Sequence, residues 1–321
     1  MQRFLIRVTL IACACVPPWA AAQHYPGKPL RLIVPWTAGS GTDLMARSLA
    51  QKLTDTLGQQ VIVDNRGGAG ATIGTEAAAR SAPDGYTLYV GGSVAMSISP
   101  ALYGKVGYDP VKDFAPVSLV SQFFNALSVH PSVPVKSVRE FIALARARPG
   151  ELLMGSAGNG STSHLAGELF KMMAKINMIH VPYKSGGQLI IGVLSGETHL
   201  SFSPVSTAIT HAGAGKLRML GVSSPRRLAS LPAMPAIHET VPGYEFSGWQ
   251  GILAPAGTPQ DIIAGLHAAI MKSIHTPEFK DYLFREGSEL VGSTPEQFAA
   301  FIRAEVAKNA ELVKMSGARP G

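Results

Sequence analysis

Residues 155–164 read GSAGNGSTSH, ten positions with no aliphatic side chain larger than alanine and four hydroxyls. The apolar segment ELLM (151–154) runs into it, and LAGELFKMMAK (165–175) follows with the composition of a helix. The same order of strand, glycine-and-hydroxyl loop and helix stands near the N-terminus. There LRLIVPW (30–36) leads into TAGSGTD (37–43), and the helix after it spaces Leu49, Leu53 and Leu57 on one face before closing on Gly58. Glycine lets a ligand approach the backbone closely, and the first N–H groups of a helix have no partner inside it. With the helix dipole added, each loop is suited to an anion. Two such loops on two domains would face each other across a cleft.

The remaining chain supports that plan. VIVD (61–64), TEAAARSA (75–82) and YTLYVGG (86–92) continue an alternation of strands and helices, the pattern of α/β layers with mostly parallel sheets. Helix starts are marked by Ser137 with Glu140, Thr258-Pro259 with Asp261, Thr276-Pro277, and Ser293 with Glu296. The last of these opens a long helix over 296–315. About 300 residues exceed what one core commonly supports. The segments 125–138 and 247–259, apolar strands ending in proline-rich turns, are the expected crossings. They divide the chain into a discontinuous first domain, 23–123 plus 248–321, and a second domain, 124–247.

Residues 1–22 are set apart as a signal peptide: Arg3 and Arg7, an apolar run from Val8 to Val16, then Ala20-Ala21-Ala22. The run before Cys13 also resembles a lipoprotein box, but it is short and interrupted by Arg7, so a cleaved, exported and monomeric form is expected. Both cysteines lie in that leader, which leaves no thiol chemistry in the mature chain. Without Arg3 and Arg7 the 28 basic residues fall to 26 against 21 acidic ones, a net charge of +5. The basic residues are scattered, which argues against nucleic acid, and the mild excess favours anions.

The loops also exclude several chemistries. Neither contains the G-x-x-x-x-G-K-[ST] of a phosphate loop, and G-x-S-x-G is missing around Ser156 and Ser161. VIVDNRGGAGATIG (61–74) spaces its glycines at 68, 70 and 74, one step too long for a dinucleotide fingerprint, and is read as a decoy. None of the nine histidines falls in a metal spacing, so no metal or cofactor is expected. A carboxylate, by contrast, needs only a few neutral donors. Asp43 reads equally as a ligand contact or as a helix-start acid, and Trp36 as a cleft wall or a core cover. Trp249 is read as support for the hinge. A hydrolase using Ser161 or Ser163 with His164 is the competing reading.

YPGKPLRLIVPWTAGSGTD, VIVDNRGGAGATIG, APDGYTLYVG, GSAGNGSTSHLAGELF, HVPYKSGG and GWQGILAPAGTP, in this order along the whole mature chain, resemble the Bug family of extracytoplasmic solute receptors. The resemblance implies a two-domain periplasmic-binding-protein fold (type II) that closes like a flytrap on a small organic acid and delivers it to the membrane permease of a tripartite tricarboxylate transporter. No catalysis is implied, and a ligand-sensing partner of a signalling protein remains an alternative. Carried over by motif position, the ligand would meet Trp36, Ala38, Gly39, Thr42 and Asp43 in the first loop, and Ser93 after the third strand. In the second loop it would meet Ser156, Ala157, Gly158, Asn159, Ser161, Thr162 and His164. Ser203 stands where many relatives carry Asp or Asn for a ligand amine, which speaks against amino-acid ligands, and Met96 is expected as an apolar wall.

Overall fold

A computed structural model describes residues 25–320. The expected leader, with Cys13, lies outside the described residues. In chain order the elements are β1 (Leu30–Val34), α1 (Gly41–Leu57), β2 (Val61–Asn65), α2 (Thr72–Ala79), β3 (Thr87–Gly92), α3 (Ser99–Tyr103), β4 (Phe114–Val129) and α4 (Val138–Ala147). They continue with β5 (Leu153–Ser156), α5 (Thr162–Ala174), β6 (Ile179–Pro182), α6 (Gly186–Leu194), β7 (Leu200–Pro204), α7 (Val205–Gly213) and β8 (Arg218–Val222). The chain ends with β9 (Ser247–Pro255), α8 (Gln260–Ile274), α9 (Pro277–Arg285), β10 (Ser288–Leu290) and α10 (Pro295–Ser316). A π-helical turn, Val94–Ile98, leads from β3 into α3.

The sheet is held together by β4. Its first part, Phe114 to Phe124, runs antiparallel to β9, while Asn125 to Val129 pairs with β7 on one side and β8 on the other. Outward from β9 lie β3, β1 and β2, the last two pairings parallel; outward from β7 lie β5 and β6, also parallel. One half-sheet therefore gives way to the other within a single strand, between Phe124 and Asn125. β1 is buried along nearly its whole length, an apolar run broken only by Arg31, as expected of a parallel strand covered on both faces.

Each half has its own core. Leu32, Leu49, Leu53, Ile270 and Phe279 fill one side of the first half, and Tyr89, Trp249 and Phe298 the other. Phe141, Phe170, Phe202 and Tyr244 fill the second. Helix α10 takes part in both: Phe298 and Ile302 pack with Trp249, whereas Leu312 and Val313 pack in the cluster of Phe141. Between these ends Glu305, buried, accepts from Trp249 Nε1 at 3.2 Å and from Asn309 Nδ2 at 3.2 Å.

Several boundaries differ from the sequence reading. β5 extends through Gly155 and Ser156, and α5 begins at Thr162 with Ser161 as its cap, so the exposed loop is shorter than the motif. α2 starts at Thr72 and ends at Ala79, three residues earlier than read at each end. At α10 the cap is Thr294, reciprocally bonded with Gln297; Ser293 instead ties the chain to β4, its Oγ accepting from the Leu119 N–H at 3.0 Å while donating to the Thr294 carbonyl at 3.1 Å. Ser137 does cap α4 by accepting from the Glu140 N–H, while the Glu140 carboxylate accepts from Lys136 rather than from Ser137.

Candidate functional site

A cavity of about 630 Å³ opens between the two half-sheets. Its wall includes the N-cap residues of five helices: Ser40 of α1, Ala71 of α2, Ser161 of α5, Ser185 of α6 and Pro204 of α7. Each helix start directs N–H groups without helical partners, and the positive end of a dipole worth roughly half a charge, toward its own tip. Three of the caps are serines that accept from the N–H three residues on: Ser40 from Asp43, Ser161 from His164 and Ser185 from Gln188. The backbone there is held open rather than folded onto itself. Among the described residues only two charged ones, Lys184 and Glu286, belong to the wall, and Trp36, Phe123, Met45 and Leu283 supply apolar surface.

Of the residues singled out from the sequence, Trp36, Thr42, Ser93, Ala157, Ser161 and Thr162 line this cavity. Ala38, Gly39, Asp43, Ser156, Gly158, Asn159, His164 and Ser203 do not; the structure puts them in the layer behind the wall or beside it. Asp43 is 1% exposed, and its carboxylate accepts from the Gly39 N–H at 2.8 Å, Arg47 Nε at 3.0 Å and Asn65 Nδ2 at 2.8 Å. Burial pushes this carboxyl up, but the hydrogen bonds from Arg47, Gly39 and Asn65 outweigh it and hold the group below the usual range. Of its two sequence readings, the structure favours the one internal to the loop. Asn65 also donates to the Trp36 carbonyl at 3.1 Å, so one side chain fixes both the aromatic wall and the loop carboxylate.

The second loop is braced in the same manner. Ser156 is fully buried; its hydroxyl meets His180 Nε2 at 2.6 Å and accepts from the Gly158 N–H at 3.1 Å. Ser163 Oγ accepts from the Ala157 N–H at 2.9 Å, and Ser161 Oγ donates to the Gly158 carbonyl at 2.6 Å. His164 lies under the loop, its Nδ1 accepting from the Gly160 N–H at 3.2 Å. That nitrogen is occupied by backbone and cannot serve Ser161 or Ser163 as a base. Burial first, then the charge of His180 and Lys171, depresses its pKa to about 3. Ser203, expected near a ligand amine, is buried on β7 opposite Ala126 and absent from the wall; its neighbours Pro204, Val205 and Ser206 are there instead. Met96 is fully buried in the Tyr89 and Trp249 cluster, so the apolar wall on that side is Val94.

The family model for the tripartite tricarboxylate transporter family receptor matches residues 45–318. The chain belongs to that family. Protein BugT of Bordetella pertussis is similar to it at 36% identity over 99% of each chain. The solved structure of Rpa4515 from R. palustris with adipate is similar at 34% identity, with a TM-score of 0.84 over 92% of this chain and 100% of that one. MatC from Rhodopseudomonas palustris with bound malate follows at 28% identity and a TM-score of 0.79, covering 90% and 100%.

The receptor has the α/β fold of the periplasmic binding proteins it resembles, and members of its family bind solutes rather than transform them. The hydrolase reading is therefore withdrawn. Among the described residues no helix is long and apolar enough to cross a membrane. Several wall residues of the receptor escaped the sequence reading. The 61–74 segment, dismissed as a failed nucleotide motif, contributes Gly67 to Ala71. Ser185 with Gln188 was a readable cap signal, since the Gln188 amide oxygen in turn accepts from the Lys184 N–H at 3.1 Å. Gln250 and Glu286, from distant parts of the chain, carried no local signal at all.

Proposed function

We propose that the receptor binds the carboxylate of a small organic acid in the cavity between the half-sheets and presents it to the membrane permease of a tripartite tricarboxylate transporter. The observation that carries this reading is the convergence of five helix N-termini on one cavity whose wall, among the described residues, holds a single cationic residue. Neutral donors and dipoles hold an anion without the desolvation cost of a buried ion pair, which suits capture followed by release. The similar structures that hold adipate and malate are consistent with a carboxylate.

In this reading the first-turn groups of α1 (Gly41, Thr42) and α5 (Thr162, Ser163) grip the acid from opposite sides, with Trp36 and Ser93 completing the enclosure. Asp43, Ser156, Gly158 and His164 act from behind by holding the loops open. The moving bodies are 23–123 with 248–321, and 124–247, a division supported by the change of partner along β4 at Phe124 and Asn125. Closure follows from tighter binding to the closed form than to the open one. The receptor works as a monomer in the periplasm after removal of residues 1–22.

The test is calorimetric titration of the full mature chain with adipate, malate and monocarboxylates, repeated with Thr42→Val and Thr162→Val. Both changes keep shape and remove a hydroxyl from the wall. Each is expected to weaken binding about tenfold, one hydrogen bond to an anion. Unchanged affinity in both variants would refute this placement of the ligand.

A further inference from the structure

Glu286, the C-cap residue of α9, lines the cavity and is half-buried. Among the described residues its carboxylate enters no ion pair and no side-chain hydrogen bond. The nearby cations are committed elsewhere: Arg285 pairs with Asp281, and Arg226 forks onto Glu289 at 3.0 and 3.1 Å. Tyr282, also in the wall, feels the charge of that carboxylate: its phenol is pushed up to about 12 by burial first and by Glu286 second.

The two charged residues of the wall stand on different elements. Lys184 is exposed and adjoins the second loop, since the Tyr183 N–H donates to the Ser156 carbonyl at 2.9 Å. Glu286 sits where β10 pairs with β4, one residue from Gly287, which is packed against Val205, and two from Ser288, which is paired with Phe123. The cavity is thus polarised, with its cation beside the α5 and α6 starts and its anion beside the strand that joins the half-sheets.

We infer that Glu286 determines specificity by reading a hydrogen-bond donor, an ammonium group for preference, at the far end of the bound acid, and by repelling a second carboxylate there. This rests on the carboxylate reading above. A half-buried carboxylate without a partner carries a desolvation cost that a ligand ammonium offsets and a ligand carboxylate worsens. Discrimination then comes as much from the repulsive contact as from the attractive one. The argument against amino-bearing ligands drawn from Ser203 concerns a buried side chain outside the cavity wall, whereas Glu286 is part of that wall.

Two sets of acids of equal chain length test this: butanoate, 4-aminobutanoate and succinate, and hexanoate, 6-aminohexanoate and adipate. Each is titrated at pH 7 into the mature chain, Glu286→Gln and Glu286→Lys. In the set that fits, the amino acid is expected to bind at least tenfold more tightly than the dicarboxylate. Glu286→Gln should narrow that ratio at least tenfold, and Glu286→Lys should invert the order. A dicarboxylate preference in the unaltered protein, or a ratio indifferent to both substitutions, overturns the inference. If natively folded protein binds none of the six, the carboxylate reading of the cavity fails instead.

Discussion

The imidazole of His164 lies flat against that of His180, with ring centroids 3.8 Å apart and planes 13° from parallel. The pair supports the second loop from beneath, through Gly160 and Ser156 respectively. Burial holds both rings neutral: His164 titrates at about 3 and His180, by burial first and Lys171 second, at about 4. Glu168, whose carboxylate stands 3.9 Å from His164 Nε2 and takes Lys171 Nζ at 2.9 Å, completes the group.

Because folded-state values lie below the ordinary 6.5, the unfolded chain binds more protons across the interval between them. Stability is therefore full above pH 6.5 and declines as pH falls toward 4. Between pH 7 and 5 the loss should be on the order of 2 kcal/mol for each imidazole. Urea unfolding at several pH values reads this directly, and His180→Asn should flatten the slope.

Asp43→Asn should damage the first loop. Three donors converge on that carboxylate, and an amide can accept at only one of its two ends, so the Gly39 N–H or Asn65 loses its partner. A loss of roughly 2–4 kcal/mol in unfolding free energy is expected. Ligand affinity should fall as well, although the side chain is absent from the cavity wall.

Gly160→Ala should be costly for two reasons. Its φ of +75° is a conformation that side chains disfavour, and an added Cβ would come within 2.5 Å of Leu102 Cδ2 on α3. Because Gly160 belongs to the second loop and Leu102 to α3, the helix that follows the wall residues Ser93 and Val94, the substitution should both lower Tm and weaken ligand binding. An expected destabilisation of about 1–3 kcal/mol is accessible to thermal unfolding.

Trp249→Phe should remove one of the hydrogen-bond donors to buried Glu305 and cost roughly 1–3 kcal/mol. The same variant leaves Trp36 as the sole indole among residues 25–320. Its fluorescence should then change on ligand binding, and the additional Trp36→Phe exchange should abolish the signal.

Much of this architecture can be read from the chain itself. LRLIV and TLYVGG announce strands because central strands covered on both faces are largely apolar, Arg31 and Thr87 being the exceptions here. The serine-capped starts of α1 and α5 are equally plain, and they bring Thr42, Ser161 and Thr162 to the cavity. Less legible was which loop residues face outward. GSAGNGSTSH is uniform in composition, yet Ser156 and His164 turn inward while Ser161 and Thr162 border the cavity; the burial of β5 and the stacking with His180 decide this, and neither is local. Glu286 is further out of reach, because it meets the cavity only once β10 has paired with β4.

Helix α10 is anchored by Phe298 and Ile302 at one end and by Leu312 and Val313 at the other, in separate cores. A hinge made of strands alone would swing freely; here a rod is pinned on both sides of the axis. Any change in the angle between the half-sheets must bend that rod near Glu305 and Asn309 or draw one of its ends from its socket. In the two-body reading proposed above, helix α10 would therefore limit how far the halves can part, and it meets the cavity wall through Trp249.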